Sequence, residues 1–325
     1  MTVSNVVNRA GKASPATVAA VRRAIDELGY VPNLAARRLA STRATTVGLI
    51  YPSRHTPFLD AILTGTLRAA NAQHFQLVIR EGDGASRDEA EGLADALVKS
   101  GADALILVPP FAEWLSGTGI LDRLGVPAAA IATGSALPGL ITIRIDNRAA
   151  MRAVTGSLIA RGHRRIGFVA GPAGHTVSAE RILGHRDALD AHGLADDVAL
   201  YAEGAFTFDS GVAAAGRLLA LDEPPTAIVA SSDDMAAGVA CEAQRRGLRL
   251  PDALAVTGFD DTTLASNIWP PLTAVRQPVE HMAHRAAHRL IELLQQPPDA
   301  TADPDEVVDY LLVERESSGA PPRGG

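Results

Sequence analysis

From Thr46 onward, short and almost wholly apolar runs alternate with stretches whose apolar residues recur at helical spacing. TVGLIY (46–51), FQLVIR (75–80), DALILV (103–108), PAAAIA (127–132) and ITIRI (141–145) are expected strands, as are RIGFVA (165–170), TAIVA (226–230) and LAVTGF (254–259). Amphipathic helices such as FLDAILTGTLRAANAQ and RDEAEGLADALVKS fall between them. Strands apolar on both faces and separated by helices describe an α/β protein with doubly wound parallel sheets. So many βα units over about 270 residues exceed one comfortable domain, and two lobes are predicted.

The first 45 residues follow another pattern. Ser14-Pro15 reads as a helix start, with a side-chain cap and proline at the first helical position. Val18, Val21, Ile25 and Leu28 share one helical face, and Gly29 ends it. Ahead of it Val3, Val6 and Val7 form one face, with Ser4, Asn5 and Asn8 on the other; Pro32-Asn33 introduces LAARRLAS. From Ser317 on, the Gly/Pro/Ser-rich stretch 317–325 is expected to be a disordered tail.

Charge sharpens this division. The net charge is −7, yet residues 1–43 carry seven Lys and Arg against Asp26 and Glu27, a net +5 that leaves −12 for the remainder. A basic head on an acidic body points to the head as the part that meets a polyanion. The 47% apolar content excludes disorder, and no apolar run approaches the roughly 20 residues of a membrane span. One cysteine, Cys241, excludes an internal disulfide framework and a Cys-based zinc cluster; with no secretory signal visible, the cytoplasm is the expected location.

Catalytic signatures are missing. Gly82 and Gly84 begin a GxGxxG, but Arg87 occupies its third glycine; no GxxxxGK[ST], HExxH or GxSxG occurs. Cys241 reads as a core residue, His163 as a packing or capping group and Gly171–Gly174 as a plain βα turn. No enzyme, cofactor or metal is expected. Binding is better served, because ligands of open α/β sheets sit beyond the carboxyl ends of strands. Polar or aromatic residues follow several expected strand ends: Ser53 and Phe58, Asp83, Thr133, Asp146, Ser232-Asp233 and Asp260-Asp261. Carboxylates, an arginine and stacking aromatics suit a hydroxyl-rich ligand such as a sugar or nucleoside.

TVSNVVNR, ELGYVPNLAARRLAS, ARGHRRIGFVAGP, TAIVASSDDMAAG and VTGFDDTTLASNIWPPLTAVRQP together resemble the LacI/GalR family of bacterial transcriptional regulators, from residue 2 to about residue 315. The resemblance implies a helix-turn-helix headpiece and hinge helix (1–45) before a core like periplasmic sugar-binding proteins (46–316). It implies an N-lobe of 46–160 plus 276–304 and a C-lobe of 161–275 plus 305–316, joined by crossings near 160, 275 and 305. It further implies a homodimer on a pseudo-palindromic operator, acting as a repressor, with a small effector between the lobes. Thr2, Ser4, Asn5 and Asn8 would read DNA, and Leu39, flanked by Ala36 and Arg37, would wedge into the minor groove. Phe58, Asp146, Arg181, Phe206, Ser232 and Asp260 would hold the effector.

Two features depart from the family. Ser232 stands where asparagine is frequent, and Ala132-Thr133 replaces a more usual Asp-containing pair, which leaves the ligand open. Met1 falls inside the segment that resembles the recognition helix, so the expectation is an upstream start that supplies the preceding helix. The alternative is a ligand-sensing module that no longer grips DNA. The C-terminal stretch lacks a leucine heptad, and a dimer is expected rather than a tetramer.

Overall fold

A computed structural model of the chain describes residues 14, 17, 20, 44–54, 56–295 and 304–321. Contacts divide the chain into a small unit (1–43 with 294–297) and a large one (44–293 with 298–325). In the small unit, Ser14 Oγ accepts the Thr17 N–H at 3.3 Å, the helix start expected there. Thr2, Ser4, Asn5, Asn8, Ala36, Arg37 and Leu39 lie outside the described residues.

The large unit runs β1 Thr46–Pro52, α1 Pro57–Gln73, β2 Gln76–Gly82, α2 Arg87–Lys99, β3 Ala104–Leu107, α3 Phe111–Leu115, α4 Ile120–Leu124, β4 Ala128–Ile131, β5 Ile141–Ile145 and α5 Asn147–Ala160. It continues β6 Ile166–Ala170, α6 Thr176–Ala191, a 3₁₀ turn Val198–Leu200, β7 Tyr201–Glu203, α7 Phe208–Leu218, β8 Ala227–Ala230, α8 Asp233–Arg245 and β9 Ala255–Asp260. The last elements are α9 Thr263–Asn267, β10 Thr273–Arg276, α10 Val279–Gln295, β11 Asp305–Val308 and β12 Leu311–Val313. Among the described residues, no helix is long and apolar enough to cross a membrane.

Two six-stranded sheets result, ordered β2-β1-β3-β4-β5-β11 and β7-β6-β8-β9-β10-β12. All pairs are parallel except β10 with β12. Every residue of β1, β3, β4, β6, β8 and β9 is buried, which is why these strands read as continuous apolar runs. Chain order reverses at β1 in one sheet and at β6 in the other, which opens a crevice beyond their carboxyl ends.

The eight expected strands are present with ends moved by at most two residues, and ITIRI matches without change. Four further strands, β7, β10, β11 and β12, are short members at or next to sheet edges.

Lobe membership differs from expectation in two places, while the middle crossing falls where it was expected. β11 joins the first sheet beside β5 and β12 the second beside β10, so the last crossing falls at Asp309-Tyr310 and not at 305. Helix α5 packs on α6 of the second lobe: a Cβ on Gly184 would stand 2.2 Å from the Arg148 carbonyl oxygen, and Thr155 Oγ1 lies 3.1 Å from His185 Nδ1. The first crossing is therefore at Asp146, before α5, and not near 160. The middle one follows β10, since α10 packs on α1, where a Cβ on Gly65 would meet the Glu280 carbonyl oxygen at 2.5 Å.

The tail expectation is also corrected. Ser317 and Ser318 are buried; Ser317 donates its N–H to Pro271 O and its hydroxyl to Val256 O (2.6 Å). The Gly319 carbonyl accepts from His163 Nε2 at 2.9 Å, which fixes His163 as a packing group whose burial lowers its pKa. Residues 317–321 thus cover the base of the second sheet, and 322–325 lie outside the described residues.

Candidate effector-binding cleft

The crevices of the two sheets face each other across a cleft of about 660 Å³, its open mouth included. Nearly every lining side chain follows a strand end. Pro52 ends β1 and Arg54 and Phe58 follow it, Val108 and Pro109 come after β3, and Ala132 after β4. The second lobe supplies His175 and Arg181 after β6, Phe206 after β7, Ser232 and Asp234 after β8, and Asp260 at the end of β9.

Arg181 sits at the floor, 4% exposed. Its Nε donates to Asn147 Oδ1 at 2.9 Å and its Nη1 to Ser231 O at 2.6 Å, while the guanidinium carbon lies 3.7 Å from the Phe259 ring centroid. The third nitrogen, Nη2, stands 3.9 Å from Asp260 Oδ1, beyond a good hydrogen bond. Burial drags the Arg181 pKa down to about 10, against the pull of Asp260 and Asp233.

Asp260 accepts from Gln277 Nε2 at 2.6 Å. Burial pushes its pKa up to about 7, outweighing Arg181 and the Gln277 hydrogen bond. Asp233 lies behind it, bonded to Thr262 N–H (2.6 Å) and hydroxyl (2.9 Å), and burial raises its pKa well above the usual carboxylate range. One cation faces several carboxylates, and burial raises the pKa of two of them.

Backbone strain concentrates here. Of the five non-glycine residues at positive φ among the described residues, Ala132 (59°), Phe206 (55°), Asp260 (105°) and Asp261 (52°) lie in or beside the cleft. Phe206 meets the His175 ring edge-on at 5.6 Å, and its ring leaves no space for a Cβ on Gly171, which would stand 2.1 Å away. Burial, with Arg54 and Arg181 nearby, depresses the His175 pKa to about 4, so the ring is neutral at pH 7.

Five of the six residues expected at an effector site, Phe58, Arg181, Phe206, Ser232 and Asp260, line this one cleft. Asp146 does not: it is exposed and caps α5, accepting from Ala149 N–H at 2.9 Å. Its neighbour Asn147 enters the site instead, because the cap turns Asp146 outward and Asn147 inward onto Arg181. Ser53 and Asp83 pair on the surface at 2.7 Å, and Thr133 donates to Ser135 O. Asp261 turns from the cleft to Arg276 Nε at 2.6 Å. His175 and Arg54 carried no motif, and Asp234 lies in the TAIVASSDDMAAG segment without a role implied for it; their place beyond strand ends marks them.

Hydrogen bonds also cross between the lobes. Arg54 Nη1 donates to Ala205 O at 3.0 Å. Gly134 N–H donates to Thr176 Oγ1 at 2.8 Å, and that hydroxyl donates to Glu113 Oε1 at 2.8 Å. Glu113 thereby brings a carboxylate to the N-terminus of α6, which has no side-chain cap of its own. Burial raises the Glu113 pKa.

Comparison with known proteins gives a consistent picture. Residues 155–318 match the periplasmic binding protein-like domain, and residues 1–33 match the bacterial regulatory proteins of the lacI family. The chain is 36% identical to the HTH-type transcriptional regulator CelR of Thermobifida fusca, over 97% of this chain and 94% of the relative. It is 32% identical to the transcriptional repressor CytR of Escherichia coli K12, over 90% of this chain and 86% of that one. A solved CelR–cellobiose complex matches with a TM-score of 0.75 at 35% identity, covering 97% of this chain and 94% of that one. The lac repressor dimer bound to operator and an anti-inducer matches with a TM-score of 0.78 at 25% identity, covering 98% and 95%.

Proposed function

Because this chain belongs to the lacI family of bacterial regulatory proteins, and is thereby a ligand-responsive regulator of transcription, we propose that its effector is a sugar-like polyol held in the interlobe cleft. Arg181 carries this reading. Its fork is fixed on two sides by Asn147 and Ser231, and the remaining nitrogen sits beside Asp260 at the cleft floor. A fixed donor next to a carboxylate acceptor is the pairing that vicinal hydroxyls satisfy together. Ser232, Asp234 and neutral His175 extend the polar surface, and Phe206 offers a ring face for a sugar ring.

The regulator acts as a cytoplasmic homodimer on a pseudo-palindromic operator, read by Thr2, Ser4, Asn5 and Asn8 and gripped through Ala36, Arg37 and Leu39. The relatives support this reading, being regulators and repressors of transcription and not enzymes. The test is a thermal-shift panel of monosaccharides and disaccharides, cellobiose included, with hits titrated calorimetrically. At least one sugar should bind with a Kd in the micromolar range, and its affinity should change when a saturating operator fragment is present. No binding across the panel overturns the polyol reading; binding that ignores operator overturns the regulatory coupling.

A further inference from the structure

Away from the cleft, histidines gather on one helix: His281, His284 and His288 all belong to α10. The inner face of α10, including Met282, Ala283, Ala286 and Leu290, is buried, and it meets α1 where a Cβ on Gly65 would stand 2.9 Å from the Ala283 methyl group. At 3.6 residues per turn the histidines fall on the opposite face, together with Glu292. His281 and Glu292 are exposed there, and His284 and His288 are half-buried.

Four residues separate His284 from His288, so their rings stack one turn above the other, with centroids 6.5 Å apart and planes inclined by 28°. Glu292 follows one turn later, its Oε2 3.1 Å from His288 Nδ1. That carboxylate favours the tautomer with the proton on Nδ1 and the lone pair on Nε2. Among the described residues no hydrogen bond engages His284. The cations on the neighbouring strip of the helix are drawn aside: Glu306 accepts two hydrogen bonds from Arg285, at 2.8 and 2.9 Å, and lies 3.7 Å from Arg289.

The geometry points to a divalent transition-metal site on the outer face of α10, with the imidazoles of His284 and His288 as its two protein ligands and Glu292 orienting His288 from behind. Two histidines four residues apart on one helical face are a pairing that zinc accepts. Imidazole nitrogens select zinc, nickel and copper over magnesium and calcium. A carboxylate behind a ligating imidazole fixes the ring and raises its basicity. Both rings are half-buried and keep the rotamer freedom to turn their Nε2 atoms onto one ion. Among the described residues no third His, Cys, Asp or Glu completes a cluster with the pair, so water fills the remaining positions and the affinity is micromolar. The ion ties successive turns of α10 together, and the site is independent of the cleft and its occupant.

The experiment is calorimetric titration of the full, untagged chain with zinc chloride at about pH 7.5, where imidazole is neutral, and in parallel with magnesium chloride. A single zinc ion per chain should bind in the micromolar range, and magnesium should give no binding heat. His284→Ala and His288→Ala should each weaken zinc binding at least about tenfold, and Glu292→Gln about tenfold. His74→Ala, at the C-cap of α1, should leave it unchanged. Zinc should also raise the thermal midpoint of the parent chain and not that of His288→Ala. Zinc binding that survives both histidine substitutions, or that magnesium reproduces, overturns the site, as does the absence of zinc binding. Unchanged affinity in Glu292→Gln overturns the part given to that carboxylate.

Discussion

Replacing Arg181 with methionine separates what the residue does for the ligand from what it does for the fold. The side chain is 4% exposed and its charge is poorly tolerated there, as a pKa pulled down to about 10 records. That depression corresponds to a penalty of about 3 kcal/mol on the charged form. Against it stand two hydrogen bonds, at 2.9 Å to Asn147 Oδ1 and 2.6 Å to Ser231 O. Removing the guanidinium orphans these acceptors at a cost of about 1–3 kcal/mol each. The opposing contributions nearly cancel, and methionine keeps most of the volume over the Phe259 ring. Because the substitution also strips the buried Asp260 of its neighbouring cation, folding stability should fall, but by no more than about 3–4 kcal/mol. Effector binding has no such compensation. One or two charge-assisted hydrogen bonds to hydroxyls are worth about 1.5–3 kcal/mol each, so the Kd of the tightest-binding sugar should rise about 100-fold or more. Urea unfolding and calorimetric titration of the same preparation measure both. A variant that loses more than about 4 kcal/mol of stability while its Kd moves less than threefold refutes the reasoning and makes Arg181 a structural post.

Asp146→Ala should lower stability by about 1 kcal/mol through loss of the α5 cap and leave sugar affinity unchanged; a large affinity loss would return Asp146 to the site. Thr176→Val removes the hydroxyl that accepts from Gly134 and donates to Glu113, and should weaken sugar binding about tenfold without touching a ligand contact. Glu113→Gln keeps an acceptor for that hydroxyl and should lie close to the parent. His185, buried and held neutral with its pKa depressed to about 4, gains its proton on unfolding at pH values between about 4 and the ordinary histidine value of about 6.5. Its contribution is fully present above that value and declines as pH falls from about 6.5 to 4, by up to about 1.4 kcal/mol per pH unit. His185→Phe should flatten that part of the stability profile measured by urea midpoints; an unchanged slope assigns the dependence elsewhere.

Six of the eight strands that the apolar runs predicted are buried on both faces, where local sequence and tertiary environment demand the same residues. β11 and β12 escaped because DEVV and LLV are half-exposed edge strands set in Pro- and Asp-rich surroundings. Their conformation depends on distant partners, Thr142–Ile145 and Ala274–Arg276. The buried Ser317 and Ser318 escaped for the same reason, since a serine whose partners, the Thr273 N–H and hydroxyl and the Val256 carbonyl, lie more than 40 residues away looks like any tail serine. Asp260 could be placed from sequence because it follows an expected strand end, whereas Arg181 and Phe206 were legible only through the family resemblance, the strand before Phe206 being too short to read. Asp146 lies outside the cleft lining because a carboxylate just before a helix has two uses, cap and ligand contact, and the helix's rotation decides between them. That rotation comes from α5 packing on α6, which also moves α5 into the second lobe.

Helix α6 joins sensing to lobe angle. Thr176 at its first position carries the interlobe hydrogen bonds, and Arg181 lies five residues on along the same helix, about 7–8 Å at 1.5 Å per residue. Glu113 reaches from the first lobe to the positive end of α6, so an attraction between carboxylate and helix dipole favours closure before any ligand arrives. Gly134 is as tightly placed: a Cβ there would stand 2.3 Å from the Thr176 carbonyl carbon, so the closed angle leaves no slack at this contact. A ligand can shift the angle only through contacts that differ between the open and closed states. Groups on the second-lobe wall alone, such as Arg181 and Asp260, travel together and would hold a polyol equally well at either angle. Discrimination between angles has to come from whatever touches Phe58, Val108 and Ala132 across the gap. A bound molecule therefore reports to the operator only so far as it touches both walls, and one held by the second lobe alone merely occupies the cleft.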